Sequence, residues 1–277
     1  MWSPYRSCSY GFLDVFFEQG LSKVLLNRPE LHNAFNPQLI QELKACFQEL
    51  AQDSKVRAVI LTGAGKSFCA GADLHWMKEM NRFTEEENRE DSRQMAHLFQ
   101  QLQNFPKPLI GQINGAALGG GVGLVSVCDL VLAQEKATFG FSEVQLGLIP
   151  AVISPYILKK IGFSQARRLM LTGERFSAQK AQEIGLVHEV CPPEKLELQT
   201  LHLAKRFLEN GPQALAQAKF LLNTLSSSGK EEDFIQEFTS RLIAELRISP
   251  EGQEGIQALF DKRKPSFFQP WKDPETP

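Results

Sequence analysis

The sequence predicts an α/β protein, with a parallel sheet built through helical crossovers and a mostly helical part after it. Three observations carry this expectation. Strand-like and helix-like segments alternate over residues 56–133, the pattern of strand–helix–strand crossovers. Within that region VRAVILTG at 56–63 is a short apolar run of the kind that forms a buried strand, and LIGQIN at 109–114 reads as another. Beyond about residue 163 the apolar residues fall mostly at helical spacing.

Taken in order, LDVFFE (13–18) and SKVLLN (22–27) read as two strands around a turn at Gln19–Gly20. NRPELHNAFN breaks the pattern at Pro29 and Pro37. LIQELKACFQELAQ then places Leu39, Leu43, Cys46, Phe47 and Leu50 on one helix face. The strand at 56–63 runs into the glycine-rich GAGKSFCAGAD, and DLHWMKEM opens a helix with Asp73 at its N-terminus. A longer polar helical stretch covers about 84–104. After Pro106 and Pro108 come the strand LIGQIN and then NGAALGGGVGLVSVCDLVLA, read as a glycine turn, a short apolar helix and a strand. Helical segments follow at FSQARRLMLTG, SAQKAQEIG, PEKLELQTLHLAKRFLEN, 214–225, EEDFIQEFTSRLIAEL and EGQEGIQALFDKRKPSF.

A chain of 277 residues suits one large domain, or one domain with a small appendage. Apolar residues make up 43% and charged residues 22%, with a net charge of −2. No basic excess is available for many phosphates, which argues against a nucleic-acid binder. The five cysteines, Cys8, Cys46, Cys69, Cys128 and Cys191, show no CxxC pair and no metal spacing, so reduced thiols and no bound metal are expected. No run of about 18 apolar residues occurs, so no membrane span is expected. The first dozen residues lack a secretory signal's apolar stretch, and Arg6 alone makes a poor transit peptide, so a cytoplasmic location is expected.

The glycine-rich segments fail as nucleotide loops. GAGKS at 63–67 would need a glycine at position 60 to be a phosphate loop, and Ile60 stands there. A dinucleotide fingerprint begun at Gly63 meets Phe68 at its third glycine, and one begun at Gly119 meets Leu124. Two turns remain, SFCAGAD and NGAALGGGVG, each following a strand and leading into a helix. Glycine lets backbone approach a ligand, and a helix start offers unpaired N–H donors with partial positive charge. Two such turns brought together could hold an oxyanion.

FCAGADLHWM at 68–77 and INGAALGGGVGLVSVCDLVLA at 113–133 resemble the two signature segments of the crotonase (enoyl-CoA hydratase/isomerase) superfamily. LNRPELHNAFN, ATFGFSEVQLGLIP, LTGERFSAQKAQEIGLVHEV and EGIQALFDKRKPSF extend the resemblance over about 12–267. It implies a crotonase-like spiral of ββα units over residues 1–200, with a helical trimerisation or lid region at 201–277. It also implies an acyl-CoA substrate, no cofactor beyond coenzyme A carried by that substrate, and a homotrimer or homohexamer. The roles implied are an oxyanion hole from the N–H groups of Ala72 and Gly120, and acid/base work by Glu143. Arg28, Lys66, Phe260 and Lys262 match segments that run along coenzyme A. The acyl group falls among Ala70, Asp73, Leu74, His75, Met77, Gly119, Gly123, Leu148, Pro150 and Val152.

One position departs from the pattern. Many hydratases of the family carry a second glutamate twenty positions before the first, and here Gly123 stands there. Hydration needs a base for water and an acid for the α-carbon, so Glu143 must do both in turn or another group must help. That departure keeps double-bond isomerisation open, along with a non-catalytic acyl-CoA-binding protein. FSEVQLGLIPAVISPYILKKIG, in contrast, is similar to bacterial methylglutaconyl-CoA hydratases, which favours hydration of a branched or acidic enoyl-CoA.

Each residue also has a plainer reading. Asp73 reads as an N-cap before it reads as a catalyst, and His75 as a residue of a helix face. Trp76, Met77 and Met80 could wall a pocket or fill a core. Asp129 reads as a structural hydrogen-bonding residue, and Cys69 and Cys128 as small packing residues without a histidine nearby in sequence. Lys262–Arg263–Lys264 could meet phosphates or form a solvated helix end.

Overall fold

A computed structural model describes residues 2–5, 10–226 and 231–272; Arg6 and Cys8 lie outside the described residues. The chain opens with β1 (Ser3–Pro4), β2 (Leu13–Glu18) and β3 (Leu21–Leu26), and β2 pairs antiparallel with both neighbours. Gln19 and Gly20 close the β2–β3 hairpin at φ 46° and 90°. Two consecutive positive φ angles give the turn whose twist matches the strands, and glycine fills the second without strain. Asn36 caps α1 (Pro37–Gln52) by accepting a hydrogen bond from Leu39 N, and Pro37 occupies the first turn, where no N–H is needed. The predicted apolar face of α1 is buried.

From here the chain repeats a unit of long strand, short strand and helix. β4 (Ala58–Gly63) and β5 (Ser67–Cys69) lead into α2 (Leu74–Met80) and α3 (Glu85–Gln103). β6 (Leu109–Ile113) and β7 (Ala116–Leu118) lead into α4 (Gly120–Val127). β8 (Leu130–Gln134) and β9 (Thr138–Gly140) lead into α5 (Ser154–Thr172). β10 (Arg175–Ser177), α6 (Ala178–Glu183) and β11 (Glu189–Cys191) close the series, and the helices α7 (Pro193–Leu208), α8 (Pro212–Leu225), α9 (Glu232–Ile248) and α10 (Pro250–Phe260) follow.

The long strands form a seven-stranded sheet in the order β1-β2-β3-β4-β6-β8-β11, parallel from β3 onward. The short ones form a second sheet, β10-β9-β7-β5. This is the ββα spiral that the resemblance implies. The second sheet was not legible beforehand, because strands of three residues are too short to show alternation.

The main core lies between the two sheets and the helices α1, α3, α4 and α5. A smaller core forms where α7 covers the other face of the long sheet, joining Leu21, Ile60 and Leu132 to Leu196, Ala204 and Leu208. Residue 200, the expected end of the core, falls inside α7, with Thr200 fully buried and its hydroxyl donating to Leu196 O. Asp129 is structural, as its plainer reading held: its carboxylate accepts from Leu109 N at 2.8 Å and from Lys219 Nζ at 2.7 Å, tying α8 to the sheet. The helix expected from 163 begins at Ser154 instead, with Pro155 in its first turn and a kink at Gly162 (φ 73°). Among the described residues no helix is long and apolar enough to cross a membrane.

Candidate active site

Three neighbouring strands of the short sheet set up the site. β5, β7 and β9 are parallel and adjacent, so their carboxyl ends lie along one edge. The chain leaves β5 through Ala70–Asp73, β7 through Gly119 and β9 through Phe141–Glu143. Segments distant in sequence therefore meet at one end of one sheet, the place where open α/β sheets bind ligands.

In the first turn, Phe35 N donates to Gly71 O at 2.7 Å and Asp73 N donates to Phe35 O at 2.8 Å. Phe35 thus takes both neighbours of Ala72 and leaves the Ala72 N–H directed to the opposite side. Gly71 has φ +90°, and a methyl placed on it would lie 2.9 Å from Leu118 O and 3.7 Å from Gly120 N. In the second turn Gly119 has φ 49° and ψ −120°, and its N–H donates to Gly140 O at 2.9 Å. Gly120 is the first residue of α4, where no intrahelical acceptor exists. Among the described residues neither the Ala72 nor the Gly120 N–H has an acceptor. Two free donors, one of them at a helix start, form a setting for negative charge on a ligand oxygen.

Glu143 completes the constellation. A methyl on Gly119 would sit 2.9 Å from Glu143 Oε1, so the carboxylate rests directly on the glycine backbone. Its Oε2 is buried with no hydrogen-bond partner. Burial raises the Glu143 pKa, and its own N–H opposes the shift only in part. Around these groups lies a cavity of about 360 Å³ whose walls are largely apolar.

The chain's sequence from residue 17 to 270 matches the enoyl-CoA hydratase/isomerase family. The chain belongs to that family. It is 35% identical to the 2,3-dehydroadipyl-CoA hydratase of Escherichia coli, over 92% of this chain and 98% of that one. It is 34% identical to the short-chain-enoyl-CoA hydratase of Clostridium acetobutylicum, over 91% of this chain and 95% of the relative. The crystal structure of an enoyl-CoA hydratase from Shewanella pealeana superposes with a TM-score of 0.89 at 39% identity, covering 93% of this chain and 96% of that one.

Of the positions that the family resemblance singled out, the cavity is lined by Ala70, Ala72, Leu74, Met77, Gly119, Gly120, Glu143, Leu148, Pro150 and Val152. Trp76 and Met80 line it as well. Seven expected residues do not. Arg28 is buried: it donates to Ala34 O at 2.6 Å and to Asp73 Oδ2 at 2.9 Å, and its guanidinium lies 4.4 Å from the Phe12 ring centroid. It is thereby committed to the protein rather than open to a phosphate. Asp73 is the N-cap of α2, accepting from His75 N at 2.8 Å. Burial alone would raise the Asp73 pKa, but the Arg28 and backbone hydrogen bonds outweigh it and hold the carboxylate low. His75 points outward, with its side chain 86% exposed. Lys66, Phe260 and Lys262 are exposed, Phe260 and Lys262 at the end of α10.

Gly123 also lies away from the cavity, and its surroundings explain the departure from the family pattern. A methyl there would meet Ile153 Cγ2 at 2.4 Å and the Phe99 ring at 2.8 Å. Ile153 and Phe99 are themselves buried, so the volume of the family's second glutamate is occupied by packed side chains.

Sequence reasoning missed the wall supplied by α3, where Asp91, Ser92, Met95 and Phe99 face the cavity. The signal was present: positions 91, 95 and 99 recur every four residues on one helix face. They do not stand out in the sequence because α3 is polar overall. Cys69 and Cys128 behave as packing residues; burial pushes both thiols up to about 12, so neither supplies a thiolate near neutrality.

Proposed function

We propose that this family member hydrates an α,β-unsaturated acyl-CoA, with Ala72 and Gly120 as the oxyanion hole and Glu143 as the sole acid/base group beside it. The observation that carries the reading is the Glu143 carboxylate resting on Gly119, one residue from the unpaired Gly120 N–H. The Glu143 carboxylate takes a proton from water as the water oxygen bonds to C3. The double-bond electrons move towards the thioester, whose oxygen gains charge between the two N–H groups. Each such donor contributes about 3–4 kcal/mol to a transition state of this kind. The protonated Glu143 then returns its proton to C2, completing the addition of H and OH. A raised pKa suits a group that must serve as base and then as acid.

The reaction as drawn uses no metal or redox group, and coenzyme A enters with the substrate. Lys66, exposed and immediately before β5, and Lys262 are the basic residues we assign to its phosphates. The exposed apolar residues of α8–α10, such as Phe220, Ile248 and Leu259, support assembly as a trimer or hexamer. Of the branched and acidic acyl groups that the sequence resemblance raises, the lining supports the branched. Met77, Met80 and Met95 are flexible apolar side chains that adapt to irregular shapes.

Glu143→Gln tests the mechanism: turnover of an enoyl-CoA should fall at least about a hundredfold while acyl-CoA binding persists. Near-normal turnover removes Glu143 from the chemistry. The closed space at Gly123 favours a second reading, isomerisation, in which one carboxylate takes a proton from C2 of a 3-enoyl-CoA and returns it to C4. Separate incubations with 2-enoyl- and 3-enoyl-CoA distinguish the two: hydration adds 18 mass units to the 2-enoyl substrate, whereas isomerisation consumes the 3-enoyl substrate at unchanged mass, read by chromatographic separation of the isomers. Tight acyl-CoA binding with no conversion of either would return the non-catalytic reading.

A further inference from the structure

The titratable side chains lining the cavity, among the described residues, are two carboxylates, Glu143 and Asp91; no lysine, arginine or histidine faces it. The two occupy different places. Glu143 rests on Gly119, beside the proposed oxyanion hole. Asp91 lies eight residues before Phe99 on α3, and the Phe99 ring abuts Gly123 at the α4 end of the wall. Eight residues of helix advance about 12 Å, so Asp91 stands towards the other end of that wall. Ser92 lies beside it in the lining.

The surroundings of Asp91 are poor in compensation. Burial raises its pKa, and the opposing influence is the Trp76 indole N–H. Trp76 is only 5% exposed, and its Nε1 has no hydrogen-bond partner within 3.5 Å. A partly buried carboxylate on a largely apolar wall with no cation in its lining disfavours a second negative charge there, since like charges repel and the wall screens them less than bulk water does.

We propose that Asp91 is a specificity-determining residue that excludes acyl chains ending in a carboxylate and restricts the enzyme to uncharged enoyl-CoA substrates. The proposal rests on the acyl-CoA reading of the cavity and deepens it. Asp91 acts on the distal part of the acyl chain rather than on C2 or C3, where Glu143 carries the protons.

The test uses full-length protein and substrates matched in length but differing at the chain end. These are 2-hexenoyl-CoA against 2,3-dehydroadipyl-CoA, and the corresponding eight-carbon pair. The quantity read is the ratio of kcat/KM for the carboxylate-ended substrate to that for the methyl-ended one. The wild type should favour the methyl-ended member at least tenfold. Asp91→Asn should narrow that ratio at least fivefold, Asp91→Lys should narrow or reverse it further, and Asp91→Glu should keep it. A purely structural role for Asp91 would not make the ratio follow charge in this way. Equal use of both chain ends by the wild type overturns the proposal, as does a ratio unmoved in the Asn and Lys variants, while hydration itself stands. Absence of turnover with every enoyl-CoA overturns the hydratase reading and this proposal with it.

Discussion

Restoring the family's second glutamate by Gly123→Glu should damage this protein instead of improving it. The size of the effect follows from the packing around Gly123. The new Cβ alone would sit 2.4 Å from Ile153 Cγ2 and 2.8 Å from Phe99, where carbon atoms normally keep about 3.5–4.0 Å. Both neighbours are buried and can yield only into the cavity that they line; the Phe99 ring centroid is held 6.3 Å from that of Phe35 and 5.9 Å from that of Tyr156. Overpacking of this kind costs about 1–3 kcal/mol, and replacing glycine within a helix returns about 1 kcal/mol, so Gly123→Ala should lose roughly 0–2 kcal/mol. In Gly123→Glu a buried, unpaired carboxylate adds several kcal/mol more. The displacement would also reach the proposed oxyanion hole, because Phe35 lies 3.1 Å from where a Gly120 methyl would be. Urea unfolding of the wild type and both variants, with hydration rates taken in parallel, checks the series. Adding Ile153→Ala to Gly123→Glu should recover part of the lost stability by clearing the closest contact. A Gly123→Glu protein as stable as the wild type and faster in hydration would refute the argument.

Gly119→Ala should depress kcat more than it raises KM, since the methyl would strike Glu143 Oε1 at a backbone φ of 49°; steady-state kinetics with an enoyl-CoA reads this split. Arg28→Met breaks an ion pair whose side chains are 6% and 7% exposed, leaving Asp73 buried without its partner, and should cost about 3–5 kcal/mol by denaturant unfolding. Since the folded-state pKa of Asp73 is depressed, the stability that its ionised form contributes is present above its unfolded value of about 3.9 and is lost as pH falls through the folded value; the variant, which keeps only the backbone hydrogen bonds to Asp73, should show a smaller acid-side loss. The raised pKa of Glu143 places the acid limb of kcat/KM above the ordinary glutamate value of 4.5, with activity falling as pH drops through it and the base is protonated; a limb at or below that value would contradict the burial of this carboxylate.

The sequence by itself determined the larger architecture, because the signals for it are local. The α1 face at Leu39, Leu43, Phe47 and Leu50, the buried run of β4 and the positive-φ turn at Gly20 each depend on neighbours within a few residues. The order and spacing of SFCAGAD, NGAALGGGVG and FSE carried the family assignment in the same way, and with it the identity of Ala72, Gly120 and Glu143 as the residues to examine. Tertiary structure alone decided which neighbours those residues meet. Arg28 reads as part of a segment along coenzyme A until Asp73, 45 positions away, is seen to take its guanidinium into the interior. Gly123 reads as a missing glutamate until Ile153 and Phe99 are seen to fill its place. Asp91 reads as one charge on a polar helix until α3 turns it towards the cavity that Glu143 shares. Burial and pairing are properties of space between distant segments, and a linear sequence specifies that space only once the chain has closed upon itself.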